Sequence, residues 1–436
     1  MASPKHDVWS TLGHAILSYV AQPSTLGEAA GVCKSFKELA QQPLLWQLVE
    51  RTYYATQFSE GELLAGTTHD SPKDGQSRDA CRSTAASRAQ WPAGVKGRRT
   101  LISLPTCCFD FAFTRDLLLA AGESGTLTVV NRVSGAVLLD APVSTMTVLS
   151  VWACQRDGTG DAAGLGQSGT NVRVLLGGVD KCLRVVDVSV PSETLRRSLE
   201  ADDVETAGAV TATEQAAIQL DGAVRRVQAD LKRYVAATAT GQVHVLDAAT
   251  LEQTQSFQAH EHSVTGCCLL LEARLCTLSV EGRALKVWSL AARGGKNAHA
   301  VPLHTLDFSG SSPPSCMDMG WHKGTGFVSV GLSDGSICVC DTNRGTVMRR
   351  LEGAHRGEVW DVAMSGCSVL STGKDGRLAA HDLATGKVLF EAAAKWAIKL
   401  WFDYSAACVL EFDGTVSLLR LAVAQIGAGG AGDDSG

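Results

Sequence analysis

The chain has 436 residues, 45% of them apolar and 19% charged, and a formal net charge of −6. That balance suits a globular protein with one large domain and room for a small one. It offers no broad attraction to nucleic acid or to an anionic membrane, and no run of about 18 apolar residues marks a membrane span.

Residues Met1 to Trp9 lack the basic-then-apolar order of a secretory leader, which predicts a chain kept in the cytosol, the nucleus or both. In "HAILSYV", Ile16, Leu17 and Val20 share one helical stripe behind caps at Ser10 and Thr11. Pro23 interrupts, and Thr25-x-x-Glu28 has the form of a capping box for a second short helix carrying Leu26. Val32, Phe36, Leu39 and Ala40 then recur at helical spacing, Pro43 sets a boundary, and "LLWQLVERTYY" begins a further helical piece. Residues 5–58 therefore predict a small all-α unit, too small to be secure alone, which leans on a partner or on the rest of the chain.

Residues 59–98 turn to Ser, Thr, Gly, Arg and Lys and read as a linker; its closing "KGRR" has the form of a short basic signal but reads as a solvated run. The last residues, 424–436, are Gly-rich and read as a flexible tail. Most of the 14 cysteines sit in apolar runs, as in Cys107-Cys108, Cys267-Cys268 and Cys338-x-Cys340, and none forms paired CxxC spacing. They read as small buried hydrophobes in a reducing compartment.

Between linker and tail lies a repeat. "SGTLTVVN" (124–131), "DKCLRVVD" (180–187), "TGQVHVLD" (240–247), "DGSICVCD" (334–341), "DGRLAAHD" (375–382) and "DGTVSLLR" (413–420) each pair a turn with a strand. "EGRALKVWS" (281–289) is the seventh; a strand-like run precedes six of them, and the more polar "SVLSTGK" the remaining one. The turns recur about every 38 to 60 residues, around the length of a four-strand repeat. The seventh repeat lacks a fourth strand of its own, and "RRTLISLP" ahead of the first is placed to supply it. Two stretches, "QRDGTGDAAGLGQSGTN" (155–171) and 200–222, read as insertions forming surface loops.

This pattern resembles the WD40 repeat, with Ala259-His260 and Trp288 in the fourth unit, and Ala354-His355, Ser371, Asp375 and His381-Asp382 in the sixth. The resemblance implies a seven-bladed propeller over residues 99–423. The front, "AILSYV … TL … VCKSFKELAQQPLLW", resembles an F-box, with Val32-Cys33-Lys34, Phe36 and Leu45-Trp46 at that family's spacing. The expected fold class is thus a small all-α F-box-like domain followed by an all-β seven-bladed WD40 β-propeller.

The F-box resemblance implies that Ile16, Leu17, Val20, Leu26, Val32, Cys33 and Phe36 face the adaptor Skp1, which links a receptor to a cullin-RING ubiquitin ligase. The WD40 pattern implies structural roles for Asp180, Asp334, Asp375 and Asp413, all in the same turn of their repeats, and for His260 and His355. One position repeated around a ring is a structural device rather than an active site. His260 and His262 have no Cys or carboxylate at ligand spacing, and no hydrolase, metalloprotease or nucleotide-binding motif is present. No catalysis, metal or cofactor is expected.

A binding role needs less. Arg225, Arg226, His355, Arg356, Lys395, Trp396 and Lys399 are expected on the blade face around the channel, the six other than His355 as contacts for an acidic or phosphorylated client. Joined, the two resemblances imply the substrate-recognition subunit of a Skp1–cullin–F-box ligase. The alternative is a WD40 scaffold for complex assembly, favoured by Val8-Trp9 standing where an F-box usually opens with Leu-Pro.

Overall fold

The computed structural model describes residues 99–420, apart from 106, 115, 157–168, 200–209, 231, 271–273, 291–300, 323–324, 366–367, 384, 395, 403–405 and 412–413. The helical unit expected at 5–58, the linker at 59–98, the tail at 424–436, the seven adaptor-facing residues, Lys395 and Asp413 lie outside the described residues.

Seven apolar segments at the start of the repeats form one strand each: β2 (Cys108–Phe113), β6 (Val148–Arg156), β10 (Val224–Ala229), β14 (Gly266–Leu270), β18 (Pro314–His322), β22 (Val359–Ser365) and β26 (Ala397–Phe402). Each begins a four-stranded antiparallel sheet. These seven strands contact one another and line a single central channel, so the molecule is a seven-bladed β-propeller. The second strands are the driest: β3 (Leu117–Gly122) and β23 (Ser368–Gly373) are buried along their whole length. Both of their faces meet a neighbouring blade, which is why β3 reads as a continuous apolar run; in β23 the buried Ser371 and Thr372 are instead hydrogen-bonded, to His355 and to the Ala397 carbonyl.

Ring closure is made by pairing across the length of the chain. β1 (Arg99–Ser103) lies antiparallel to β28 (Thr415–Arg420), with Leu101 opposite Ser417, and so becomes the outer strand of blade seven. Ile102 from β1 joins a core with Phe111, Phe113, Leu118, Leu410 and Val416, drawn from the first and last blades. The same seam carries Phe113 against Trp401, ring centroids 4.7 Å apart, with the Arg132 guanidinium 4.8 Å from the Trp401 centroid.

One expectation is corrected. Residues 200–222 are not one connecting loop, because Thr211–Gln219 form β9, the outer strand of blade two, paired with β8 (Cys182–Pro191). Its sequence, TATEQAAIQ, hides the strand: an outer strand exposed along most of its length needs no apolar alternation. A one-turn helix, α1 (Ser192–Arg197), follows β8, and Ser198 just beyond it accepts a 2.6 Å hydrogen bond from the Asn131 side-chain amide of blade one.

The turn into the third strand of each blade sets where the loops emerge. Gly335 sits there at φ +85°, and a Cβ added to it would collide with the His355 carbonyl oxygen. Gly335→Ala should therefore lower unfolding stability by about 2 kcal/mol or more. Gly310→Ala, where a new Cβ meets nothing, should stay within about 0.5 kcal/mol, both read from denaturant midpoints.

The channel and its mouth as a candidate functional site

The inner strands share a local pattern: an apolar residue, one variable residue, a mostly polar one, then apolar again. It reads Cys108-Phe109-Asp110-Phe111, Val148-Leu149-Ser150-Val151, Val224-Arg225-Arg226-Val227, Val359-Trp360-Asp361-Val362 and Ala397-Ile398-Lys399-Leu400. The apolar members, three apart, are buried together, which regular two-residue alternation forbids. A β-bulge reconciles them: the register skips Phe109, Leu149, Arg225, Ser315, Trp360 and Ile398 in six of the blades. The skipped residue sits at the leading end of its strand, exposed in Phe109 and Arg225 and half-buried in the other four, with Ile398 packed against the seam core, while the next one enters the channel.

The channel is a cavity of about 310 Å³, and Asp110, Ser150, Arg226, Asp318, Asp361 and Lys399 supply most of its polar lining. Inner strands leave edge N–H groups without a strand partner, and the three carboxylates and Ser150 accept from them across the seams. Val151 N–H donates to Asp110 Oδ2 at 2.9 Å, Met364 N–H to Asp318 Oδ2 at 2.7 Å, and Leu400 N–H to Asp361 Oδ2 at 2.7 Å. Ser150 extends the chain, accepting from Val227 N–H at 3.2 Å and donating to Asp110 Oδ2 at 3.0 Å. Each bond runs from one blade to the next, so the carboxylates act as rungs of the ring.

Charge in the channel is largely compensated from within. Lys399 Nζ lies 3.6 Å from Asp361 Oδ2. Burial opposes the Lys399 ammonium, but Asp361 and Asp110 outweigh it and the net direction of its pKa is upward. Burial raises the Asp361 carboxyl against the pull of Lys399 and the Leu400 N–H. Burial likewise pushes the Asp318 carboxyl up to about 6, against the Met364 and Met319 N–H groups.

The turn carboxylates do the blade-internal work that their repetition suggests. In blade six the His355 imidazole bridges Ser371 Oγ and Asp375 Oδ1, at 2.9 Å each. His381 stands beside them, its Nδ1 buried and without a hydrogen-bond partner among the described residues. Asp180 accepts from Ser144 Oγ at 3.1 Å and pairs with Arg184, and Asp334 pairs with Arg350 at 2.6 Å. Blade four replaces the carboxylate scheme: Thr277 Oγ1 accepts from Trp288 Nε1 and is bonded to His260 Nε2, both at 2.9 Å. Burial, with help from Lys286, lowers the His260 pKa to about 4. Seven of the eleven described cysteines are buried, and burial pushes the Cys267 thiol up to about 12, far from thiolate chemistry. Among the described residues no group of three or more His, Cys, Asp or Glu is placed to hold a metal ion.

The residues expected on the blade face around the channel divide. Arg226 and Lys399 line the channel, and His355 is buried inside its blade. Arg225, Arg356 and Trp396 are exposed at the leading ends of blades three, six and seven. Trp396 is 67% exposed and stacks on Trp360, centroids 5.6 Å apart and planes 23° from parallel. The inner-strand residues Asp110, Ser150, Asp318 and Asp361 escaped sequence reasoning, as did Phe109 and Trp360 at the bulges. For all but Asp318, which lies two residues beyond the position after its bulge, the signal was there in the three-residue apolar spacing inside otherwise strand-like segments.

No protein-family profile matches the sequence, and no curated protein does. Among solved structures the chain is similar to the crystal structure of a computationally designed protein, Ika8, at 17% identity and a TM-score of 0.48, covering 74% of this chain and all of that one.

Because Asp318 has a higher pKa folded than unfolded, its ionisation costs stability fully above about pH 6, and the cost fades as pH falls toward the ordinary carboxyl value. Asp318→Asn should therefore raise the urea midpoint at pH 7.5 and converge with the parent near pH 4. A constant difference across that range would contradict the assignment.

Proposed function

We propose that the chain is the substrate-recognition subunit of a Skp1–cullin–F-box ubiquitin ligase, working in the cytosol or nucleus. The observation that carries this reading is the pairing of two sequence patterns in one chain: F-box-like spacing over residues 8–50 and WD40-like repeats over 99–422. The second pattern is supported in its coarser form by the seven-bladed ring. In this reading Ile16, Leu17, Val20, Leu26, Val32, Cys33 and Phe36 dock Skp1, and the propeller holds the client. The receptor itself performs no chemistry; it raises the effective concentration of client lysines near the ligase. The alternative, a scaffold that uses its helical front for another assembly, is favoured by the absence of the opening Leu-Pro.

Capture of Skp1 by the purified full chain tests the reading. The parent should bind and a Val32→Asp, Ile16→Asp variant should lose binding while its propeller unfolds at the parent midpoint. Absence of Skp1 binding by the folded parent would favour the scaffold.

A further inference from the structure

Arg226 and Lys399 spend their charge inside the channel, on Asp361 and its neighbours. The exposed Arg225 and Arg356 sit on blades three and six, on opposite sides of a seven-bladed ring, and cannot clamp one phosphate together. Neither guanidinium has a carboxylate partner among the described residues, so each can meet a single carboxylate. Arg225 and Arg356 therefore do not together make a dianion site.

What the mouth does present is apolar. Trp360 and Ile398 are half-buried bulge residues of blades six and seven, and Phe109, the bulge residue of blade one, is 37% exposed. These three blades are consecutive in the ring, so their bulges form one arc. Trp396 stacks on Trp360, within this arc, and is 67% exposed. Its backbone is at φ +55°, a conformation rarely adopted by a bulky side chain and one a glycine would hold without strain. Strain of this kind persists where the surroundings impose it, and it clusters at ligand clamps.

We propose that the arc formed by Trp396, Trp360, Ile398 and Phe109 docks an unphosphorylated client peptide through one bulky apolar side chain, with a peptide carboxylate meeting Arg356. This deepens the receptor reading by naming the class of client, and it rests on that reading only for the word client. The open ring of Trp396 supplies a flat anchor surface that loses little side-chain freedom on binding, Trp360 supports it from beneath, and Arg356, four residues ahead of Trp360, supplies the complementary charge. Arg225 is too far round the ring to share the task.

The test is selection of the full chain against two probes, a random twelve-residue phage-displayed peptide library and an oriented phosphoserine/phosphothreonine peptide library. Selected sequences are then titrated as fluorescent peptides. We expect unphosphorylated peptides sharing a bulky apolar residue near an acidic one, binding at least tenfold more weakly to Trp396→Gly and several-fold more weakly to Arg356→Ala. Trp396→Gly relieves the backbone strain, so it should unfold at the parent midpoint or above it, which separates lost docking from lost folding. Selection of phosphorylated peptides alone, failure of either library to enrich, or binding unchanged by Trp396→Gly would overturn the proposal. Skp1 capture on the same preparations keeps the two ideas apart. Peptide docking without Skp1 binding sinks the ligase reading and leaves the surface; Skp1 binding without peptide selection does the reverse.

Discussion

Everything at the channel depends on the pairing of β1 with β28. A sheet has two edges, and seven sheets arranged radially turn one edge inward and one outward. If the first and last blades were not joined, the seam between them would expose Ile102, Phe111 and Phe113 and leave β28 with an open edge. Five residues from before the first repeat cover that edge, and the aromatic contact of Phe113 with Trp401 under Arg132 fastens the seam nearer the channel. Contacts so distant in sequence are entropically costly to form, which makes closure the step at which the ring gains or loses cooperativity.

The inward edges pose a second problem, solved by side chains. Asp110, Ser150, Asp318 and Asp361 each accept a peptide N–H from the following blade. Burying carboxylates is unfavourable, as the raised Asp318 and Asp361 groups show, but the alternative is an unpaired buried N–H in each seam. The bulge is the common device behind both channel and mouth. By absorbing one residue it directs the polar position into the channel and the preceding residue to the face. Identical backbones thus carry Phe109, Arg225 or Trp360 at equivalent places, and the face takes its character from those choices.

The ring was legible in the sequence because its turns recur: Asp180, Asp334 and Asp375 mark three blades by position alone, and the strand before the first two is an apolar run. The closing strand was legible for a negative reason, the seventh repeat having too few strands. β9 was not, since an outer strand of Ala, Thr, Gln and Glu has no burial to write into its sequence. The mouth was half legible. Trp396 is conspicuous in composition, but whether a tryptophan near a strand packs inward or stands on the face is a matter of its φ angle and its neighbour Trp360, which local pattern does not encode. Arg226 and Lys399 line the channel for a similar reason: a bulge shifts by one the face on which every later side chain falls.

The direct measurement is unfolding and sedimentation of the full chain with residues 99–103 replaced by a Gly/Ser stretch, which leaves every repeat intact and removes the closing strand, both its pairing with β28 and its Ile102 from the seam core. If closure governs the ring, the variant should unfold at a clearly lower denaturant midpoint with a broadened transition, and it should self-associate through the freed edge. A variant that stays monomeric and unfolds with the parent's midpoint and slope would contradict the account.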